Sequence, residues 1–154
     1  MSIVDIRQSG AMRMDQEELE RHLREEGVGV LALPADESPY VLPMSFGYDG
    51  DDRLYFTFLL FGTQSRKEEL SKRSERARFL VYAAASMYDW WSVLLEGTIE
   101  KVPEDQWDDL RAAMDNAWHP DLFAGATPMR GLTGYQFTIH DRSGIKHSSE
   151  DVRI

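Results

Sequence analysis

The chain has 154 residues, of which 42% are apolar, enough for one domain with its own core and too apolar for a disordered segment. It has no cysteine, which excludes a disulfide framework and a thiolate metal site. Twenty-seven Asp and Glu face 17 Lys and Arg, and the net charge of −10 repels phosphates at long range, so nucleic acid is not an expected partner.

The bases are 13 Arg and only four Lys. This acid-rich, Lys-poor balance fits an acidic, halophilic type of protein, kept soluble in concentrated salt where screening removes self-repulsion. Apolar runs such as "FLVYAAASM" (79–87) fall far short of a membrane span, and residues 1–18 lack a basic segment leading into an apolar one. The expectation is a cytoplasmic protein with no membrane partner.

In chain order, "MDQEELERHLREEG" (14–27) predicts a helix: Asp15 can cap it, Glu18 completes a capping-box pattern, Leu19 and Leu23 share a face, and Gly27 stops it. Residues 28–34 read as a strand. "PYVLPMSFGYDGDDRLYFTFLLF" (39–61) reads as two strands around the turn signal "DGDD", with Pro43 pointing to an edge strand or a bulge. Residues 66–75 are helical in pattern, and 78–85 return to strand. Residues 91–102 form a fifth strand with a bulge expected at Gly97. The pattern of 103–118 is the clearest helix, opened by Pro103, with Trp107, Leu110, Met114 and Trp118 at helical spacing. After a loop over 119–131, residues 135–148 predict a last strand with a short hairpin partner. No repeat or linker divides 1–154, so a single domain is expected. Its class is α+β, with a mainly antiparallel barrel or sheet.

Three stretches invite chemistry. In "GTQSRKEEL" (62–70), Ser65 stands at a helix start with Arg66 and Lys67 behind it. Backbone N–H groups at such a start, with a guanidinium fork and an ammonium, can hold a phosphate. By spacing alone, Ser65 can equally cap the helix while Arg66 and Lys67 pair with Glu68 or Glu69. In "LPMSFGYD" (42–49), a strand interrupted by proline leaves backbone groups of Pro43, Met44 and Ser45 for a ligand, or is simply an irregular edge. In "DWWSVLLEG" (89–97), Trp90 and Trp91 point to opposite faces, so at most one enters the same core; the other covers a ligand or partner, or packs at the rim. Ser92 beside them can donate to a ring carbonyl or to backbone. No P-loop, GxGxxG, GxSxG or HExxH pattern is present, and His22, His119, His140 and His147 are not spaced as metal ligands. An enzyme built on this chain needs an organic cofactor.

Taken together, the order "PYVLPMSFGYDGDDRLYF … GTQSRKEELSKRSERARFLVY … WWSVLLEGTIEKV" resembles the pyridoxamine 5′-phosphate oxidase-like, FMN-binding split-barrel family over roughly residues 14–102. The resemblance implies a six-stranded, mainly antiparallel split β-barrel with N-terminal and inserted helices, and a homodimer with FMN at the interface. Ser65, Arg66 and Lys67 match the family's phosphate-holding "SRK". Met44 and Ser45, with the backbone from Leu42 to Phe46, match the strand beside the flavin ring. Ser92 falls where the "xxVxxEG" strand places a polar flavin contact, and Trp91 next to it is implied to line the cleft. The tail "FTIHDRSGIKHSSEDVRI" lacks the Arg, Leu and His run by which true pyridoxamine-phosphate oxidases recognise substrate, so that substrate does not carry over. The implied function is an FMN-dependent oxidoreductase acting on an unknown small molecule. A non-catalytic flavin or haem carrier or sensor, and a deazaflavin-dependent reductase, are the alternatives.

Overall fold

The computed structural model describes residues 11–59, 70, 76–114 and 132–147. Helix α1 spans Gln16–Glu25 and starts where its cap predicts: Asp15 Oδ1 accepts from the Glu18 N–H at 2.8 Å. Leu19 and Leu23, four residues apart, bury the helix against the sheet. The other half of the capping box is replaced by a longer link, because Glu18 Oε1 takes a hydrogen bond from Lys146 Nζ at 2.7 Å. That bridge ties the helix start to the C-terminal end of the last strand.

Eight strands form one sheet: β1 Met12–Arg13, β2 Val28–Leu33, β3 Tyr40–Ser45, β4 Gly47–Tyr48, β5 Arg53–Leu59, β6 Arg76–Ser86, β7 Asp89–Lys101 and β8 Leu132–His147. Their order is β3-β2-β6-β7-β8-β5-β4, with β1 added to β8, and every pairing is antiparallel. The ends of this path, β3 and β4, are separated in sequence by Phe46 alone. Laid flat, seven strands would place those ends about 29 Å apart, whereas the link across Phe46 reaches about 7 Å. The sheet therefore curls on itself into a half-barrel, and the fold is the expected α+β split-barrel type.

Strand count departs from the six expected. The region 39–61 holds three strands rather than two, because the chain bends at Phe46 and re-pairs as β4 with β5. β1 is a two-residue addition to β8. Among the described residues the last strand has no separate hairpin partner: β8 runs 16 residues unbroken, between β7 on one side and β5 and β1 on the other. Pro43 sits in β3 at an end of the path, as an edge strand allows. The expected bulge is present: pairing of β7 with β8 shifts register between Glu96 and Gly97. A Cβ at Gly97 would overlap the Thr138 carbonyl oxygen, so only glycine lets the strands approach there. In the β4–β5 turn Gly50 takes a positive φ of 87°, and Asp49 Oδ1 accepts from the N–H groups of Asp51 and Arg53.

The concave face holds the main core, in which Phe46, Phe56, Phe79, Tyr135 and Phe137 are fully buried. Of the helix expected over 66–75, Leu70 is described; it is helical and buried in this core. A second cluster lies on the other face. Helix α2, Trp107–Ala113, packs Trp107, Leu110 and Ala113, with Met114, against Tyr55 and Val102. Trp118, expected on the same stripe, lies outside the described residues.

Candidate functional site

Strand alternation decides which of the expected site residues can meet a ligand. On β2, β6 and β7 the side chains of Leu31, Phe79, Val81, Val93 and Leu95 enter the core. Val30, Leu80, Tyr82, Ser92 and Leu94 therefore point to the convex outer face. Registers align them in rows: Pro43, Val30, Leu80 and Leu94 form one row across four strands, and Tyr82 stands opposite Ser92 in the next.

The expected residues divide accordingly. Met44 is buried in the core, and Phe46 is fully buried with its ring edge-on to Phe79 at 5.2 Å; the Phe46 N–H donates to the Gly27 carbonyl at 3.0 Å. Ser45, between them, lies on the outer face and is half-buried. Trp91 also points inward, packs against the main core and stacks on the His22 ring at 3.7 Å and 18°. Trp90 takes the opposite face, its ring 6.2 Å from that of His147. The two tryptophans thus split between faces as alternation requires, and the one that enters the core is Trp91. Ser92 is half-buried on the outer face, in register with Tyr82 and Ile145. Ser65, Arg66 and Lys67 lie outside the described residues.

The outer face thus brings Ser45 and Ser92 to one side of the sheet and sends Met44, Phe46 and Trp91 to the other. Around the serines it carries large apolar side chains left open to solvent: Tyr82 is 57% exposed and Leu94 40%. Met87 and Tyr88, at the β6–β7 hairpin tip, are exposed as well, and every residue from Tyr82 to Asp89 is exposed. Exposed large apolar side chains on one face are what a ligand or another protein surface can cover. Tyr82 and Leu94 were not singled out from the sequence, although they occupy outward positions in "RFLVYAAA" and "SVLLEG"; alternation shows that they share a face but not which face is covered.

The His22 imidazole and the phenols of Tyr48 and Tyr55 have perturbed chemistry. Burial, helped by Arg21 and Lys146 and partly opposed by Glu18 and Glu25, holds the His22 imidazole below its ordinary range, so the ring stacked on Trp91 is neutral near pH 7. At the other end of the sheet path, Tyr48, Asp49, Arg53, Tyr55 and Asp109 line a polar pocket of about 340 Å³ beside α2. Burial pushes both phenols up, so they stay protonated there, against the opposing pull of Arg142 on Tyr48 and of Arg53 on Tyr55. None of the expected site residues that are described lines this pocket.

A family model described as Pyridoxamine 5′-phosphate oxidase matches residues 15–146. Solved structures share the fold. An FAD-binding protein from Mesorhizobium loti is 23% identical, with a TM-score of 0.70 over 90% of this chain and 99% of its own. An FAD and haem binding protein from Mycobacterium smegmatis is 22% identical, with a TM-score of 0.68 over 93% of this chain and 78% of its own. An FAD binding protein from the same organism is 14% identical, with a TM-score of 0.66 over 89% and 98%. No curated protein matches the chain significantly.

Proposed function

The chain belongs to the pyridoxamine 5′-phosphate oxidase family, and from that premise we propose that it is a flavoprotein that binds FMN on the outer face of β3, β6 and β7 and carries out a redox reaction on a small molecule. The observation that supports this most directly is that Ser45 on β3 and Ser92 on β7 face the same side of the sheet, with β2 and β6 between them and Tyr82 and Leu94 exposed beside Ser92. A planar ring system needs a flat apolar surface to lie on and a few polar groups to orient it. The residues present fit that need, and similarity to proteins described as FAD-binding agrees with it.

Bound flavin would supply the two-electron chemistry, for which no described side chain of this face is suited. The protein's own contribution is positional. Ser92 sits on a strand paired on both sides, so the face its side chain points to is fixed in advance. Tyr82 and Leu94 exclude water from the ring. Ser65, Arg66 and Lys67 are the proposed phosphate holders, on the strength of the family pattern in the sequence. A second copy of the chain closes the site, because Tyr82, Leu94, Met87 and Tyr88 stay exposed in one copy alone. A second reading, flavin or haem binding without turnover, is favoured by similarity to the FAD and haem binding protein.

Titrating FMN against the protein while following flavin fluorescence tests the proposal. Saturable quenching is expected, and Ser92→Ala should weaken FMN and riboflavin alike by about threefold to tenfold, the loss of one ordinary hydrogen bond. A colourless protein that leaves FMN fluorescence untouched removes the flavin reading. Flavin that binds but is not reduced by NADH or NADPH supports the non-catalytic one.

A further inference from the structure

Farther along the outer face, where β2, β6 and β7 lie side by side, is a pocket of about 350 Å³. Ala32 leaves room at its floor, Pro34 and Pro39 at the two ends of the β2–β3 connection wall it, and Arg76, Arg78 and Glu96 form its rim. Register accounts for the grouping: Ala32, Arg78 and Glu96 are opposite one another across the three strands, and Arg76 is the next outward residue of β6. Two guanidinium groups here share one carboxylate. Arg76 Nη1 lies 3.4 Å from Glu96 Oε1, and Arg78 Nη2 lies 3.8 Å from Glu96 Oε2. Both separations are long against the roughly 2.8 Å of a close charge-assisted bond. The arginine side chains are 79% and 63% exposed, so each pair is weak and easily exchanged. The neighbouring acids, Asp36 and Glu37 between the prolines and Asp141 opposite Glu96, are exposed.

We infer that this pocket is an anion-binding site for the phosphate group of a small phosphorylated molecule, with Glu96 as the internal occupant that the phosphate displaces. A monocarboxylate gains little there, because Glu96 already supplies one without an association cost. A phosphate monoester dianion carries the charge that matches two arginines, and its three oxygens engage both forks at once. The small floor and proline walls accept the uncharged part of the molecule. Glu96 is four residues beyond Ser92 on the same strand, about 13 Å along the same face. The flavin reading already gives the flavin's own phosphate to Ser65, Arg66 and Lys67, and an extended ribityl phosphate arm falls short of that span, so the phosphate here belongs to a separate molecule. That assignment does not depend on the flavin reading.

The experiment uses the full chain, with Arg78→Ala and Glu96→Gln as variants. Inorganic phosphate is titrated by calorimetry, and FMN and riboflavin by fluorescence. Phosphate binding is expected to weaken about tenfold or more in Arg78→Ala and to tighten severalfold in Glu96→Gln, where the internal competitor is gone. FMN affinity is expected to be unchanged in Arg78→Ala, and phosphate still to bind the FMN-loaded protein. Arg78→Ala that weakens FMN but not riboflavin, with inorganic phosphate competing with FMN, would place the flavin's own phosphate here and overturn the inference of a separate molecule. Wild-type protein that takes up no phosphate, or phosphate binding that neither substitution alters, overturns the inference. Failure to bind either flavin removes the flavin reading alone, since the phosphate titration still decides the pocket. Should Arg78→Ala not fold, Glu96→Gln decides, because a carboxylate that merely decorates the surface would leave phosphate affinity as it is.

Discussion

Trp91 and Ser92 are adjacent, yet one closes the core against α1 and the other faces outward, so the same dipeptide serves the interior and the proposed site. The interior partner of Trp91 is His22, and that contact makes α1 docking depend on pH. Burial first, then Arg21, favours the neutral imidazole in the folded chain. An unfolded chain binds the proton at about pH 6.5. As pH falls through that value the unfolded state takes up a proton that the folded state resists, so stability drops, and the loss is complete only below the lower, folded value. Above about pH 7 the contribution is fully present. Urea midpoints should therefore decline from about pH 7 to pH 5 more steeply for the wild type than for His22→Gln, which has no proton to bind. Parallel slopes would show that the ring on Trp91 titrates as it does in the unfolded chain.

β7 is the element on which both faces of the molecule depend: Val93 and Leu95 enter the core, Ser92 and Glu96 face outward, and Gly97 resets the register toward β8. Gly97→Ala should destabilise the fold by about 1–3 kcal/mol, the scale of overpacking, because its Cβ meets backbone rather than a side chain that can swing away. Denaturant unfolding followed by tryptophan fluorescence measures this, and an unchanged midpoint would mean that the bulge opens freely. Gly97 was legible in the sequence, since a glycine inside an otherwise apolar strand pattern has few other uses. So was α1, where the Asp15 cap and the Leu19–Leu23 spacing agree. β1 was not legible: two residues paired only to the far end of β8 leave no periodic signal. Nor was the break at Phe46, where the chain changes partners inside "PMSFGY", short of the stronger turn signal "DGDD". Candidate site residues were legible as types but not as directions. Period-two alternation says that Met44 and Ser45 part company, while only the closed sheet says that Met44 goes inside.

At the scale of the whole molecule, two properties pull against each other. The outer face leaves Tyr82 and Leu94 in water, and the β6–β7 hairpin tip does the same for Met87 and Tyr88, which favours association through that side. A net charge of −10 on each copy opposes it. Salt acts on only one of these forces. It screens repulsion beyond about 10 Å at 0.1 M and about 3 Å at 1 M, while burial of apolar surface is not weakened by it. The proposed homodimer should therefore tighten as sodium chloride rises from about 0.05 to 1 M, the reverse of an interface held by exposed ion pairs. Sedimentation velocity across that range measures the shift, and Tyr82→Glu or Leu94→Glu should abolish it by placing a charge in the buried patch. Because the flavin is proposed to lie on the same face, those substitutions should lower FMN affinity together with the dimer fraction. A dimer that loosens with salt would place the interface on some other, charge-paired surface, and a dimer untouched by both substitutions would separate it from the face that carries Ser92.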